Sequence, residues 1–119
     1  MRRFLPVLFI FALSTGRLLS ADEPLIDPTD APTHVGQSVT VSGVVVAVFV
    51  SKRGNAFINF GDKYPNQTFT GWIPAGTPLA SDASLQSLQG KTVQITGIIE
   101  LYRGKPEIKI TSRDQLVSE

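Results

Sequence analysis

The sequence contains no cysteine and a single histidine, His34, and these two shortages exclude most common catalytic designs. Without cysteine there is no disulfide, no thiolate zinc site and no cysteine nucleophile. With one histidine, a Ser-His-Asp relay or a multi-histidine metal site would have to be built around His34. Carboxylates do not form the clusters that hold a catalytic metal, because they are scattered over different predicted elements: Asp62, Asp82, Glu100 and Glu107. We therefore expect a protein with no enzymatic activity, no metal and no cofactor.

Long apolar runs are also lacking, since the longest one, Phe4 to Leu13, is ten residues and a membrane-spanning helix needs about 20. This run follows Arg2 and Arg3 and precedes small and polar residues, which is the pattern of a secretory signal peptide over residues 1–21. Cleavage after Ala21 fits, and cleavage after Ser20 or Gly16 stays open. The alternatives are an N-terminal core segment or a membrane anchor. The signal peptide predicts an exported protein, periplasmic or extracellular, that is not integral to the membrane after cleavage.

Strong charge of either sign is absent as well. The 119 residues are 42% hydrophobic and 18% charged, which is typical of one globular domain. Removing residues 1–21 leaves eight basic and ten acidic residues, and from Thr33 onward there are eight basic and six acidic residues. The folded part is therefore mildly basic, and any attraction to phosphate depends on local clustering of cations.

An acidic, proline-rich segment, residues 22–33, predicts a linker ahead of the domain at residues 34–117. Five valine-, isoleucine- and phenylalanine-rich stretches predict strands, with one short helix, Ser81 to Leu88, between the third and the fourth. The strands span Val39 to Val50, Ala56 to Phe60, Thr68 to Ile73, Thr92 to Tyr102 and Pro106 to Thr111. The first and fourth share the pattern G-x-[ST]-V-x-[VI]-[ST]-G-[VI]-[VI], in which Gly43 and Gly97 fit a bulge or bend of the kind that a small barrel needs.

This order resembles the OB-fold, a five-stranded Greek-key barrel with a helix between its third and fourth strands. The chain is also similar to small bacterial OB-domain proteins that bind nucleic acid, and to OB modules appended to some secreted nucleases, over residues 31–117. The similarity rests on these segments: His34-Val35-Gly36 through Gly43, Asn59-Phe60-Gly61-Asp62, Tyr64-Pro65-Asn66, Leu88-Gln89-Gly90-Lys91, Tyr102-Arg103-Gly104-Lys105-Pro106 and Asp114-Gln115. It implies an all-β barrel whose middle strands and flanking loops bind a ligand.

Strand alternation indicates an aromatic surface on that barrel. If Ile58, Phe60, Phe69 and Ile73 face the core, then the alternate residues of the same two strands face outward: Phe57, Asn59, Thr68, Thr70 and Trp72. Exposed aromatic rings on this face stack on the bases of single-stranded nucleic acid. The opposite orientation, with one or both rings in the core, fits the same pattern.

Two basic turns accompany this face. The first hairpin turn carries Lys52 and Arg53, and the last carries Arg103 and Lys105 beside Tyr102. In an OB-fold these loops flank one groove, so the four cations suit a phosphate backbone. Ordinary solvated turns have the same composition.

The sequence therefore predicts a monomeric, non-catalytic, exported OB-fold module that binds single-stranded DNA or RNA. The predicted contact residues are Lys52, Arg53, Phe57, Asn59, Trp72, Tyr102, Arg103 and Lys105. Two other functions remain open: a carbohydrate, peptide or small-ligand module that uses the same aromatic face, and an accessory domain of a secreted nuclease system.

Overall fold

The computed structural model describes residues 23–119, so the predicted signal peptide lies outside the described residues. The regular secondary structure of this part of the chain consists mainly of seven strands. They are β1 (Leu25–Ile26), β2 (Ser38–Val50), β3 (Ala56–Phe60), β4 (Phe69–Ile73), β5 (Thr92–Tyr102), β6 (Lys105–Lys109) and β7 (Leu116–Ser118). The prediction of a mostly β domain is confirmed. The strand count is corrected, because two short strands, β1 and β7, flank the five that the sequence predicts.

The strands pair in the order β1-β2-β3-β4-β6-β5-β7, with an additional pairing between β2 and β5. Apart from its pairing with β1, strand β2 pairs with two strands in succession, because Ser38 to Val44 pair with β5 and Val45 to Val50 pair with β3. Strands β4 and β6 are parallel, and the other pairs among β2 to β6 are antiparallel. The pairings among β2 to β6 therefore form a cycle. It runs from β2 through β3, β4, β6 and β5, and β5 pairs with β2 again.

The core is made by alternate residues of these strands, as period-two burial requires. Ile58 and Phe60 of β3 and Phe69 and Ile73 of β4 are fully buried, so the predicted inward face of the two strands is confirmed. Strand β5 contributes Val93, Ile95 and Ile99, and strand β6 contributes Ile108. The remaining face of β3, β4 and β6 points away from this core and carries the candidate site.

Two of the three strand glycines, Gly43 and Gly97, are the ones that the sequence pattern singled out, and both lie where a neighbour packs closely. A Cβ atom on Gly43 would lie 2.6 Å from the Cγ atom of Pro28, and one on Gly97 would lie 2.6 Å from the Cγ2 atom of Ile108. The register of β2 shifts between Val45 and Ala47, so the predicted bulge is not at Gly43, and the other predicted feature, a bend, stays a prediction. Both strands therefore need a residue without a side chain where a neighbour crosses them.

The predicted helix at residues 81–88 is replaced by two 3₁₀ segments, Leu79–Ser81 and Ala83–Leu88. Asp82 separates them in an extended conformation, and its side chain accepts a hydrogen bond from the Ser84 amide at 2.9 Å. Such local side-chain bonds compete with α-helical ones, and a segment this short gains little from helix propagation. Leu85 of the second segment is buried.

The segment predicted as a linker lies against the domain. Leu25 and Ile26 pair in parallel with Thr40 and Val41 of β2, and residues Pro28–His34 form a 3₁₀ helix. Ala31 of this helix is fully buried in the core. Its prolines are compatible with a 3₁₀ helix, so the composition of the segment does not prevent it from packing. Within residues 23–119, no helix has the length and apolar character needed to cross a bilayer.

Candidate functional site

A groove runs across the outward face of β3, β4 and β6. Its larger cavity has a volume of about 320 Å³, and an adjoining cavity of about 180 Å³ shares three of its lining residues, Phe57, Tyr102 and Glu107. The larger one is also lined by Phe49, Asn59, Tyr64, Gln67, Thr70 and Arg103. The smaller one is also lined by Asn55 and Trp72. The larger volume lies in the range of small-ligand sites.

Aromatic rings form the walls of the groove. Phe57 of β3 lies opposite Trp72 of β4 on one side and opposite Phe49 of β2 on the other. The Phe49 and Phe57 rings stack with centroids 6.2 Å apart and planes 24° apart. Phe49, Tyr64 and Tyr102 are each more than half exposed, whereas Phe57 and Trp72 are half-buried. Exposed rings next to a cavity provide flat apolar faces for a ligand.

The floor of the groove is polar. Asn59 and Thr70 are buried, and the Thr70 hydroxyl donates a hydrogen bond to Oδ1 of Asn59 at 2.8 Å. Gln67 borders the same cavity, and among residues 23–119 its buried Oε1 atom has no hydrogen-bond partner. A buried acceptor without a partner costs free energy, so this atom is suited to a donor that arrives with a ligand.

One carboxylate, Glu107, borders both cavities. It is half-buried and lies opposite Thr70 of β4 and opposite Glu100 of β5. Burial raises the pKa of the Glu107 carboxyl above its ordinary value, and the charge of Glu100 raises this pKa further. The sequence does not reveal this acid as part of a site, because only the parallel pairing of β4 and β6 brings it beside the groove.

Two cations lie against the rings. The Arg103 guanidinium carbon is 5.2 Å from the centroid of the Tyr102 ring, and Nζ of Lys109 is 5.4 Å from the centroid of the Trp72 ring. Both distances are within the range of cation–π attraction. Arg103 has a φ of 53° and precedes Gly104 with a φ of 81°, which makes the tight turn that the sequence predicts between β5 and β6.

The other predicted cations are placed differently. Nζ of Lys105 donates hydrogen bonds to the carbonyl oxygens of Pro65 at 2.6 Å and Gln67 at 3.1 Å, so its charge anchors the loop between β3 and β4. Arg53 borders a separate cavity with Ala75, Gly76 and neighbouring loop residues. Lys52 is exposed in the turn between β2 and β3.

Of the eight predicted contact residues, the structure brings five together in the groove: Phe57, Asn59, Trp72, Tyr102 and Arg103. Sequence analysis missed Phe49, Tyr64, Gln67, Glu107 and Lys109. Phe49 follows the register shift in β2, which interrupts simple alternation. Tyr64 and Gln67 belong to a loop whose path depends on the anchor at Lys105.

Comparison with solved structures identifies the fold as that of an OB-like small β domain. OBody AM1L10, bound to hen egg-white lysozyme, matches 74% of this chain and 84% of its own, with a TM-score of 0.53 and 22% identity. OBody AM2EP06, also bound to hen egg-white lysozyme, matches 78% of this chain and 90% of its own, with a TM-score of 0.53 and 18% identity. No protein-family model and no curated sequence matches the chain. At these identities the likeness concerns the fold alone.

Proposed function

We propose that the protein is an exported, non-catalytic OB-fold module that binds single-stranded nucleic acid in this groove. The observation that carries the proposal is the alternation of rings and cations on one face, with Arg103 against Tyr102 and Lys109 against Trp72. Rings that stack on bases and cations that meet phosphates are the two requirements of single-strand binding. The export of the module rests on the leader pattern of residues 1–21.

The proposal includes a five-stranded barrel made of β2 to β6, to which β1 and β7 are additions. The double pairing of β2, with β3 and with β5, supports this closure. In such a barrel the groove lies over β3 and β4, which correspond to the second and third barrel strands, the ligand-binding strands of OB-folds. An accessory role beside a secreted nuclease is compatible with the same groove.

We expect a smaller electrostatic contribution to nucleic-acid binding than the four cations predicted from the sequence would make. Lys105 is held by the loop, and Arg53 borders another cavity, so Arg103 and Lys109 are the cations at the groove. For single strands the logarithm of the binding constant falls by about 0.7 per phosphate contact for each tenfold rise in salt. Two contacts therefore predict a loss of affinity of about five- to tenfold between 50 and 200 mM salt.

The test is the binding of a fluorescently labelled single-stranded oligonucleotide by fluorescence anisotropy at these two salt concentrations. The substitution Trp72→Ala removes one stacking surface. It is expected to weaken oligonucleotide binding about tenfold, since stacking contributes about 1–3 kcal/mol per base. Thr96→Ala, on the outward side of β5, serves as the control and is expected to bind like the wild type. No detectable binding by the wild type at low salt would reject the proposal.

A second candidate is oligosaccharide binding, which the polar floor favours. Asn59, Thr70 and Glu107 provide amide, hydroxyl and carboxylate groups between aromatic walls, and sugar hydroxyls both donate and accept hydrogen bonds. A neutral sugar carries no phosphate, so its binding is expected to be independent of salt. Quenching of Trp72 fluorescence by oligosaccharides, with none by oligonucleotides, would favour this candidate over the first.

A further inference from the structure

Glu107 is a negative charge in a groove that we propose to bind a polyanion. Among residues 23–119 the one ion pair joins Arg113 to Asp82, so no salt bridge offsets the Glu107 carboxylate. Its cross-strand neighbour Glu100 is also an acid. A half-buried carboxylate opposite a like charge disfavours folding. Its position is therefore better explained by a ligand contact than by stability.

The groove also contains two amides with complementary hydrogen-bonding atoms. Gln67 Oε1 is a buried acceptor without a partner in residues 23–119. Asn59 Oδ1 already accepts the Thr70 hydroxyl, so Asn59 contributes the hydrogen atoms of its Nδ2 group to the cavity. Glu107 adds a carboxylate acceptor to the same cavity, which also contains donors from Arg103 and from the Tyr64 and Tyr102 hydroxyls. A ligand edge that presents a donor beside an acceptor matches this set.

We propose that the 320 Å³ cavity holds a nucleobase with an exocyclic amino group, and that Glu107 accepts a hydrogen bond from that group. This inference rests on the proposed function and specifies it. Cytosine and adenine each present an amino donor next to a ring-nitrogen acceptor, and guanine presents its 2-amino group. Uracil and thymine have a carbonyl where cytosine has its amino group, so they place an acceptor against the carboxylate. Proteins read cytosine through this amino group with Glu or Asp.

The walls of the cavity suit a flat ring. Phe49 and Phe57 are stacked on one another, and Tyr102 borders the same space. Bases in single strands are recognised when their faces lie on aromatic side chains and their Watson–Crick edges meet polar groups. The groove provides both parts, with the rings in its walls and Asn59 and Glu107 at its floor.

The experiment compares oligodeoxycytidine with oligodeoxyuridine of equal length, by fluorescence anisotropy at low salt. The two have the same backbone and similar ring size and differ in the hydrogen-bonding edge. The wild type is expected to bind oligodeoxycytidine about tenfold more tightly, the usual order of discrimination by one good base contact. Glu107→Gln is expected to reduce this preference to about twofold or less, because an amide donates as well as accepts.

Glu100→Gln is the matched control, since it removes the same charge from the neighbouring strand at a residue that does not line the cavities. It is expected to keep the tenfold preference, whereas a pure charge effect would change both variants alike. Equal binding of the two oligonucleotides by the wild type, or a preference that survives in Glu107→Gln, would overturn the inference and leave the proposed function standing. Binding of neither oligonucleotide would instead defeat the proposed function.

Discussion

The outward faces of the two parts of the sheet differ in their polar groups, although both contain a hydrogen-bonded side-chain pair. On the face formed by β2 and β5, Thr40 and Thr96 share a hydrogen bond at 2.8 Å, and Ser42 and Gln94 both donate to the carboxylate of Glu119. These side chains have partners within the chain. On the face formed by β3, β4 and β6, Gln67 Oε1 has no partner among residues 23–119, and Glu107 lies opposite another acid.

The difference separates a surface whose strand side chains bond to one another from a surface that is suited to a ligand. Threonines, serines and glutamines that bond to one another have little left to offer a partner molecule. The groove combines aromatic rings, a cavity and a buried acceptor that has no partner among residues 23–119, and this combination is typical of ligand sites. Two pairs of substitutions and one single substitution test this contrast.

The largest effect is expected from removing one hydroxyl on each face. Thr70→Val leaves the buried Oδ1 of Asn59 without its donor and is expected to lower the free energy of unfolding by about 1–3 kcal/mol. Thr96→Val affects a partly buried bond whose partner, Thr40, can turn to water, so a loss below about 1 kcal/mol is expected. Urea unfolding measures both. Equal losses would show that the two faces are not different in this respect.

A smaller effect is expected from the two arginines of the basic turns. Arg103→Gln is expected to reduce the salt dependence of oligonucleotide binding by about 0.7 in the log–log slope, since it removes one phosphate contact. Arg53→Gln should leave the slope unchanged, because Arg53 borders another cavity. The measurement is affinity over a series of salt concentrations. A larger change for Arg53 would place the ligand along the first turn instead.

The smallest effect concerns stability and pH. The raised pKa of Glu107 means that the folded state holds this proton more tightly than the unfolded state, so the charge destabilises the fold above that pKa. Glu107→Gln is therefore expected to raise the melting temperature at pH 7 slightly. The gain should shrink as pH falls and the wild-type carboxyl becomes protonated. Thermal unfolding at pH 7 and pH 4 checks this, and a gain that grows toward pH 4 would contradict it.

Much of the framework follows from the sequence because period-two burial is a strong constraint. Alternation puts Ile58 and Phe60 on one face of β3 and Phe57 and Asn59 on the other, and the structure identifies the first pair as the one in the core. The tight turn at Arg103 and Gly104 also follows from local chemistry. These are short-range properties of the chain, so a single sequence is enough to infer them.

What could not be predicted depends on contacts between distant segments. Glu107 meets the groove only through the parallel pairing of β4 and β6, and Lys105 binds the loop carbonyls of residues 65 and 67 rather than remaining free for phosphate. The acidic segment at residues 22–33 has the composition of a linker, yet Ala31 fills part of the core. Composition describes a segment alone, whereas docking depends on the surface that receives it.

The short terminal strands have a consequence for the behaviour of the protein in concentrated solution. Strand β1 covers Thr40 and Val41 of the valine-rich β2, and strand β7 covers Val93 to Ile95 of β5. Uncovered edges of long, apolar strands recruit other chains into intermolecular sheets. By ending the sheet in strands of two and three residues, the chain leaves little template for aggregation at either side.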